Sequence, residues 1–483
     1  PEYSEGIRPS RQGLGLDPGA LSYGGLVLPP GPEVQANASA RKPGQLNFHG
    51  FLRAPMRVGI GSGNDVETGG PEGLKLHSPP RVPDAAYTHW QYTNEIGGPW
   101  TELQLSYGNA RVFGTVMLAA YNHSDAGFRD LPSQLGVNQA WVTFNLPTLF
   151  GERGGLLINV GSFSGGYGGA GRYDAGAYGT YLFGRTHTTG ETISAFYDLT
   201  PNLTVQLEHG IGARLDVGLI ERGAPTTIQL PYPGPIQQFP TFLHHGHLGF
   251  TYKDKFRVAL HALTSWTQAS TRASEPDGRV TSLGGEIKVI DTRLGSAFLG
   301  AAFLRAKEAS RVAGAFEALH SWEGWSLTDN FFRNPTGTGD ITSLGWEWTF
   351  SWAKLLGRPG YGDGRDVVAR VFGMYNRIDN ADRTAPPAKL KAGGALTYTP
   401  LAWLGISGRY DNVQPNMNDN TETFHVFSPR LLLRSDFLSN EEIVLQYTRY
   451  LLGNHTKLPD PWDQRPNITA DKQVVSIIAT MWW

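Results

Sequence analysis

After residue 45, apolar and polar residues alternate with a period of two along most of this chain, and that rhythm limits the fold more than any other feature. In Leu46 to Ile60 the even positions include Leu46, Phe48, Leu52, Met56, Val58 and Ile60, while Asn47, His49, Arg53 and Arg57 fall between them. In Ile341 to Trp352, Leu344, Trp346, Trp348, Phe350 and Trp352 share one side, opposite Ser343, Gly345, Glu347 and Thr349. Successive strand side chains point to opposite faces, so each segment is a strand with one greasy and one polar side. A sheet with such a tryptophan face needs a cover that is not water. No apolar run approaches the roughly 20 residues of a membrane helix. The mean hydropathy of -0.29 leaves strand crossing open, because only alternate residues of a spanning strand meet lipid.

The chain closes on QVVSIIATMWW, Gln473 to Trp483, in which Val475, Ile477, Ala479, Met481 and Trp483 form one apolar side. This stretch resembles the C-terminal assembly signal of bacterial outer-membrane β-barrels, with Trp in place of the usual final Phe. The resemblance implies a porin-like barrel in the outer membrane of a Gram-negative bacterium, inserted by the barrel-assembly machinery and surrounded by lipids and lipopolysaccharide.

Short turn signals pair the strands at Tyr107 to Arg111, Thr200 to Leu203, Tyr252 to Phe256, Ile290 to Leu294 and Tyr398 to Trp403. Longer connections at Leu146 to Gly155, Trp352 to Asp366 and Arg434 to Glu441 are assigned to the same rim. With strands at 46 to 60 and 469 to 483, these hairpins predict an all-β, transmembrane, antiparallel up-and-down β-barrel of about 18 strands, with short periplasmic turns and long extracellular loops. The long segments are 61 to 98, 165 to 190, 213 to 240, 267 to 278, 307 to 340, 379 to 387, 411 to 421 and 453 to 468; within them, 311 to 322 fits a short helix or a strand extension. Residues 1 to 45, rich in Gly, Pro and Ala, read as a flexible periplasmic extension or a plug, and residues 46 to 483 as the barrel. The chain opens at Pro1 without a basic and apolar leader, the expected state once a signal peptide is removed. Cysteine is absent, excluding disulfides and thiolate metal sites, and a net charge of -2 gives no global attraction to nucleic acid.

Eighteen strands about 4.8 Å apart, tilted about 40°, close into a cylinder of backbone radius about 18 Å, wide enough for an aqueous channel. A channel for passive diffusion of small solutes is therefore the expected function. The loop at 164 to 190 occupies the topological place of the constriction loop in general diffusion porins, and Arg172, Asp174, Arg185 and His187 would bring charge to the narrowest point. The polar sides of the strands carry Arg53, Arg57, Arg257, Lys288, Arg370, Lys389, Lys391, Arg409, Arg430 and Arg434 against Glu102, Glu208, Glu286 and Glu347. Such a wall would concentrate anions. The alternatives are an export conduit for an anionic exopolysaccharide, similar to the eighteen-stranded alginate export barrel, and a non-conducting barrel serving as a scaffold for a periplasmic or extracellular protein.

Catalytic chemistry finds no anchor. HHGH, His244 to His247, would turn His245 and His247 inward and His244 outward, with no third metal ligand set by spacing. GSFSGGYGGAG lacks the GK[ST] of a phosphate loop. DNVQPNMNDN, 411 to 420, lacks the Gly and closing Glu of a calcium loop and reads as a solvated outer loop. The reading is a non-enzyme without cofactor. A homotrimer, usual for diffusion porins, would use the same apolar wall as lipid.

Overall fold

The computed structural model describes residues 44–60, 101–121, 134–166, 185–214, 226–230, 234–238, 241–253, 255–267, 278–307, 339–358, 365–380, 388–414, 416–418, 420, 423–435, 437–438, 440–451 and 472–483. The strands are β1 (Gln45–Ile60), β2 (Thr101–Gly108), β3 (Val112–Tyr121), β4 (Gln134–Leu146), β5 (Gly154–Gly166), β6 (Arg185–Thr200), β7 (Leu203–Arg214), β8 (Thr226–Leu230), β9 (Gly234–Gln238) and β10 (Thr241–Tyr252). They continue as β11 (Phe256–Thr267), β12 (Arg279–Thr292), β13 (Gly295–Lys307), β14 (Gly339–Ser351), β15 (Asp366–Asn380), β16 (Ala388–Leu401), β17 (Leu404–Gln414), β18 (Phe424–Ser435), β19 (Asn440–Leu451) and β20 (Lys472–Trp482). All except β8 and β9 form one 18-stranded sheet in which β1 pairs with both β2 and β20, so the sheet is a closed barrel. β8 and β9 form a separate hairpin inside the segment expected to be an outer loop.

Every pairing in the barrel is antiparallel and, apart from the β1–β20 closure, joins barrel strands that follow one another in the chain, the up-and-down order expected from the hairpin rhythm. The eight short connections share a rim with the start of β1 and the end of β20. Several boundaries differ from the sequence reading, two of them with consequences for the rim and the inner wall. β14 stops at Ser351, and Trp352–Leu355 forms a helical turn whose N-terminus is capped by the Ser351 side chain. β17 runs to Gln414, so Asp411 to Gln414 belong to a strand instead of the expected outer loop. Asp411 and Val413 continue the inward alternation of Ser407 and Arg409, and pairing with Gly393 and Lys391 holds them in the sheet. The N-terminal extension lies outside the described residues up to residue 43, and β1 opens at Gln45.

The seam is built by the chain ends. Gly50 and Trp483 exchange backbone N–H···O bonds of 3.1 Å each, and the Phe48 and Trp483 rings lie 5.6 Å apart. Val475, Ile477 and Trp483 face outward, as the alternation requires, with Met481 half-buried in the same row; Val474, Ser476 and Ile478 are buried on the inner side. At the short-turn rim, neighbouring hairpins are latched to one another. Asn145 N donates to Arg111 O (2.7 Å), Lys253 N to Asn202 O (2.8 Å) and Arg434 N to Trp403 O (2.9 Å). The β18–β19 turn is held by Glu441, whose carboxylate accepts from Phe437 N, Leu438 N and the Ser435 hydroxyl.

The outer face is an apolar band between two aromatic girdles. Tyr252, Phe256, Trp348, Trp352, Tyr398 and Trp403 are exposed near the short turns, and Trp266, Phe303 and Phe427 farther up. Tyr252 and Phe242, like Phe256 and Trp266, lie ten residues apart on one strand face. At about 3.4 Å per residue and a tilt of about 40° that spacing is about 26 Å, which matches the apolar height of an outer-membrane barrel. Trp346 lies flat over Gly373 of the next strand, where a Cβ would come within 2.0 Å of the indole. Gly373→Val is expected to lift Trp346 off the wall and destabilise the barrel by about 1–3 kcal/mol. The unfolding temperature read from gel mobility of unheated against heated samples should fall, and adding Trp346→Ala should recover part of the loss.

Candidate functional site

The inner wall has two contrasting sectors. Along β3 to β7 it is a ladder of small polar groups: the Thr143 hydroxyl donates to Asn159 Oδ1 (2.7 Å), Asn159 Nδ2 to Thr192 Oγ1 (3.2 Å), and the Ser194 hydroxyl to Glu208 Oε2 (2.7 Å). Short β-branched and amide side chains suit this face, since directly opposed residues come within hydrogen-bond reach across strands. The row continues from Glu208 to His247 and His261, its cross-strand partners on β10 and β11. His245 Nδ1 stands 4.0 Å from Glu208 Oε1, and Arg257 Nη2 lies 2.8 Å from His247 Nε2. His245 and His261 lie against Gly210 and Gly284, positions where any Cβ would collide with the ring. HHGH is therefore split as expected, with His245 and His247 inward, while His244 meets His209 on the outer face. Among the described residues no group of three or more His, Asp or Glu is arranged to hold a metal.

The second sector, on β14 to β18, is cationic. Gly393 leaves room for the Phe372 ring and the Asp411 carboxylate to converge, each within 2.7 Å of where a Cβ would stand. The Arg409 guanidinium packs over Phe372 (4.9 Å to the ring centroid) while gripping Asp411 through Nε and Nη2 at 2.8–3.1 Å; Arg409 and Asp411 are both at 0% exposure. Arg370 also lies 5.9 Å from the ring centroid and binds Glu347 Oε1 at 2.7 Å. Lys389, Lys391 and Arg430 are buried on the adjoining strands. Among the described residues this sector holds these five cations against the carboxylates of Glu347, Asp366 and Asp411. A low-dielectric wall strengthens the internal pairs.

Arg370, Lys389, Lys391, Arg409 and Arg430 are thereby brought to one stretch of wall, and Arg434 sits lower, bound to Glu442 at 2.5 Å. Arg53 and Arg57 lie in β1, their side chains outside the described residues, as do Arg172 and Asp174 entirely. Arg185 and His187 are in β6, paired with Gly166 and Ser164, so the expected loop at 164 to 190 is shortened from both ends. Glycines and threonines prolong that hairpin because they pair without steric conflict. The charge count also changes. Asp411 and Glu442, missed when they were placed in or beside loops, face inward and bind two of the expected cations, whereas buried Asp366 binds Ser351 and Ala353 N at the turn. Spacing held a usable signal, since Arg409/Asp411 are two apart on one face.

The closed antiparallel barrel, its apolar band and its girdles define a multi-pass β-barrel of the outer membrane. No protein-family model and no curated protein matches the sequence. Among solved structures, it resembles the outer membrane channel DcaP of Acinetobacter baumannii (12% identity, 91% of this chain and 98% of that one, TM-score 0.42). OccK5 (OpdH) of Pseudomonas aeruginosa (12%, 91% and 98%, TM-score 0.39) and OmpT of Vibrio cholerae (12%, 91% and 98%, TM-score 0.37) are also similar. At these values the assignment rests on the barrel itself.

Breaking the Arg409–Asp411 pair from one side should be severe. Arg409→Met is expected to cost about 3–5 kcal/mol by leaving a buried carboxylate without its cation, and Arg409→Met/Asp411→Leu considerably less. Denaturant unfolding in a double-mutant cycle checks this; equal losses in the single and double variants would remove the pair's role.

Proposed function

We propose that this protein is a channel for passive diffusion of small solutes across the outer membrane, with a preference for anions. The observation that supports it is the cationic sector on β14 to β18, where, among the described residues, Arg370, Lys389, Lys391, Arg409 and Arg430 outnumber Glu347, Asp366 and Asp411. A positive wall in a low-dielectric barrel raises the local concentration of anions. The connection between β5 and β6 is the proposed constriction, and the C-terminal strand the proposed contact with the assembly machinery. Lipid surrounds the apolar band, and the same band would serve a homotrimer.

A second reading, a barrel closed at rest, is favoured by the full burial of Lys389, Lys391 and Arg409 at 0% exposure. Planar-bilayer conductance across a salt gradient separates the two. The first predicts a large, steady, anion-preferring conductance that drifts toward no preference in Lys391→Gln/Arg430→Gln. The second predicts near-zero conductance that appears after deletion of residues 167 to 184 or 1 to 43.

A further inference from the structure

On the lipid-facing side of the barrel, at the outer end of β12 and β13, Arg279 stands directly opposite Lys307. Both side chains are exposed and point outward, since Val280, Ser282, Leu304 and Ala306 take the inner positions between them. Directly opposed residues hold their Cβ atoms about 5 Å apart, and like charges there destabilise the pairing. Among the described residues, nearby carboxylates do not relieve the repulsion. Asp340, the first described acid on this face, is engaged by Arg305 through Nε and Nη2, both at 2.9 Å. Asp379, beyond it, lies opposite Asp340 on β15, with Arg377 two residues away. Neither Arg279 nor Lys307 forms an ion pair with a described residue.

The level of the pair is set by its neighbour. Arg279 is opposite Trp266, the upper-girdle aromatic ten residues above Phe256. The two cations therefore sit at the upper edge of the apolar band, where headgroups begin, with Phe303 and Leu283 exposed below them. A ligand that satisfies all of this carries a phosphate to lie between the cations and acyl chains to lie on the wall beneath.

We propose that Arg279 and Lys307 form a binding site for the phosphate of an anionic lipid headgroup in the outer leaflet, with Trp266 as its apolar flank. The two cations hold the phosphate by charge-assisted hydrogen bonds, Arg279 through its fork and Lys307 as a point charge. A free phosphate ion offers the same charge without the chains.

The test uses the full chain purified in detergent, titrated with diphosphorylated lipid A or with inorganic phosphate, and read by native mass spectrometry and thermal unfolding. Arg279→Gln and Lys307→Gln are each expected to weaken lipid A binding about fivefold, and the double variant about thirtyfold, while Arg279→Lys retains most of it. In lipid-free detergent the neutralised variants should unfold at the same or a higher temperature, which a merely structural role for the pair would not produce. Wild-type affinity for lipid A in the double variant would overturn the proposal. So would inorganic phosphate that binds the wild type as tightly as lipid A, which would assign the cations to a free ion.

Discussion

A backbone that crosses hydrocarbon must satisfy every N–H and C=O within the protein, and for strands the only complete solution is closure. In this chain closure falls on β1, which pairs with β2 through Gln45 to Leu52 and with β20 through Phe51 to Ile60. The bonds between Gly50 and Trp483 lie where those pairings overlap. The even strand number and the shared rim of the two ends follow from it, because antiparallel neighbours close only when the first and last strands run in opposite directions. The latches between adjacent hairpins stiffen that rim without adding edges.

Closure divides the side chains into two environments by a period of two. Outside, the energetics are those of lipid contact, and glycine such as Gly373 is acceptable because Trp346 covers it. Inside, charges removed from water have to be paired or hydrogen-bonded. Arg370 with Glu347, Arg409 with Asp411, and Arg434 with Glu442 meet that demand by taking their carboxylates from the adjacent strand or from two residues along the same strand. Pairing of this kind makes a count of cations overstate the charge that the wall presents. The opposite sector answers the same demand with hydroxyls, amides and imidazoles.

The register that aligns inner pairs also fixes outer ones. With Arg279 opposite Lys307 and Arg305 opposite Asp340, one face of neighbouring strands carries a satisfied ion pair next to a repulsive one. On the proposed reading, an anion of the outer leaflet answers that repulsion. Inner wall and lipid-facing rim are in this sense two readings of one hydrogen-bond register.

Alternation, turn residues and the terminal aromatic strand were enough, from sequence alone, to establish an up-and-down barrel of eighteen strands, the direction of the faces in β1, β14 and β20, and the inward and outward histidines of HHGH. These are local properties, set by a period of two and by turn chemistry within a few residues. Which charges meet was decided only by the tertiary structure. Asp411 looked like loop because Asn, Asp and Pro follow it, and pairing with Gly393 kept it in the sheet, across that glycine from Phe372. Glu442 took Arg434 across a hairpin, and Arg279 came to face Lys307 across another. Partners on different strands depend on register, and register is set by where each turn begins and where a bulge shifts the ladder. A single residue of uncertainty in either exchanges every partner and every face.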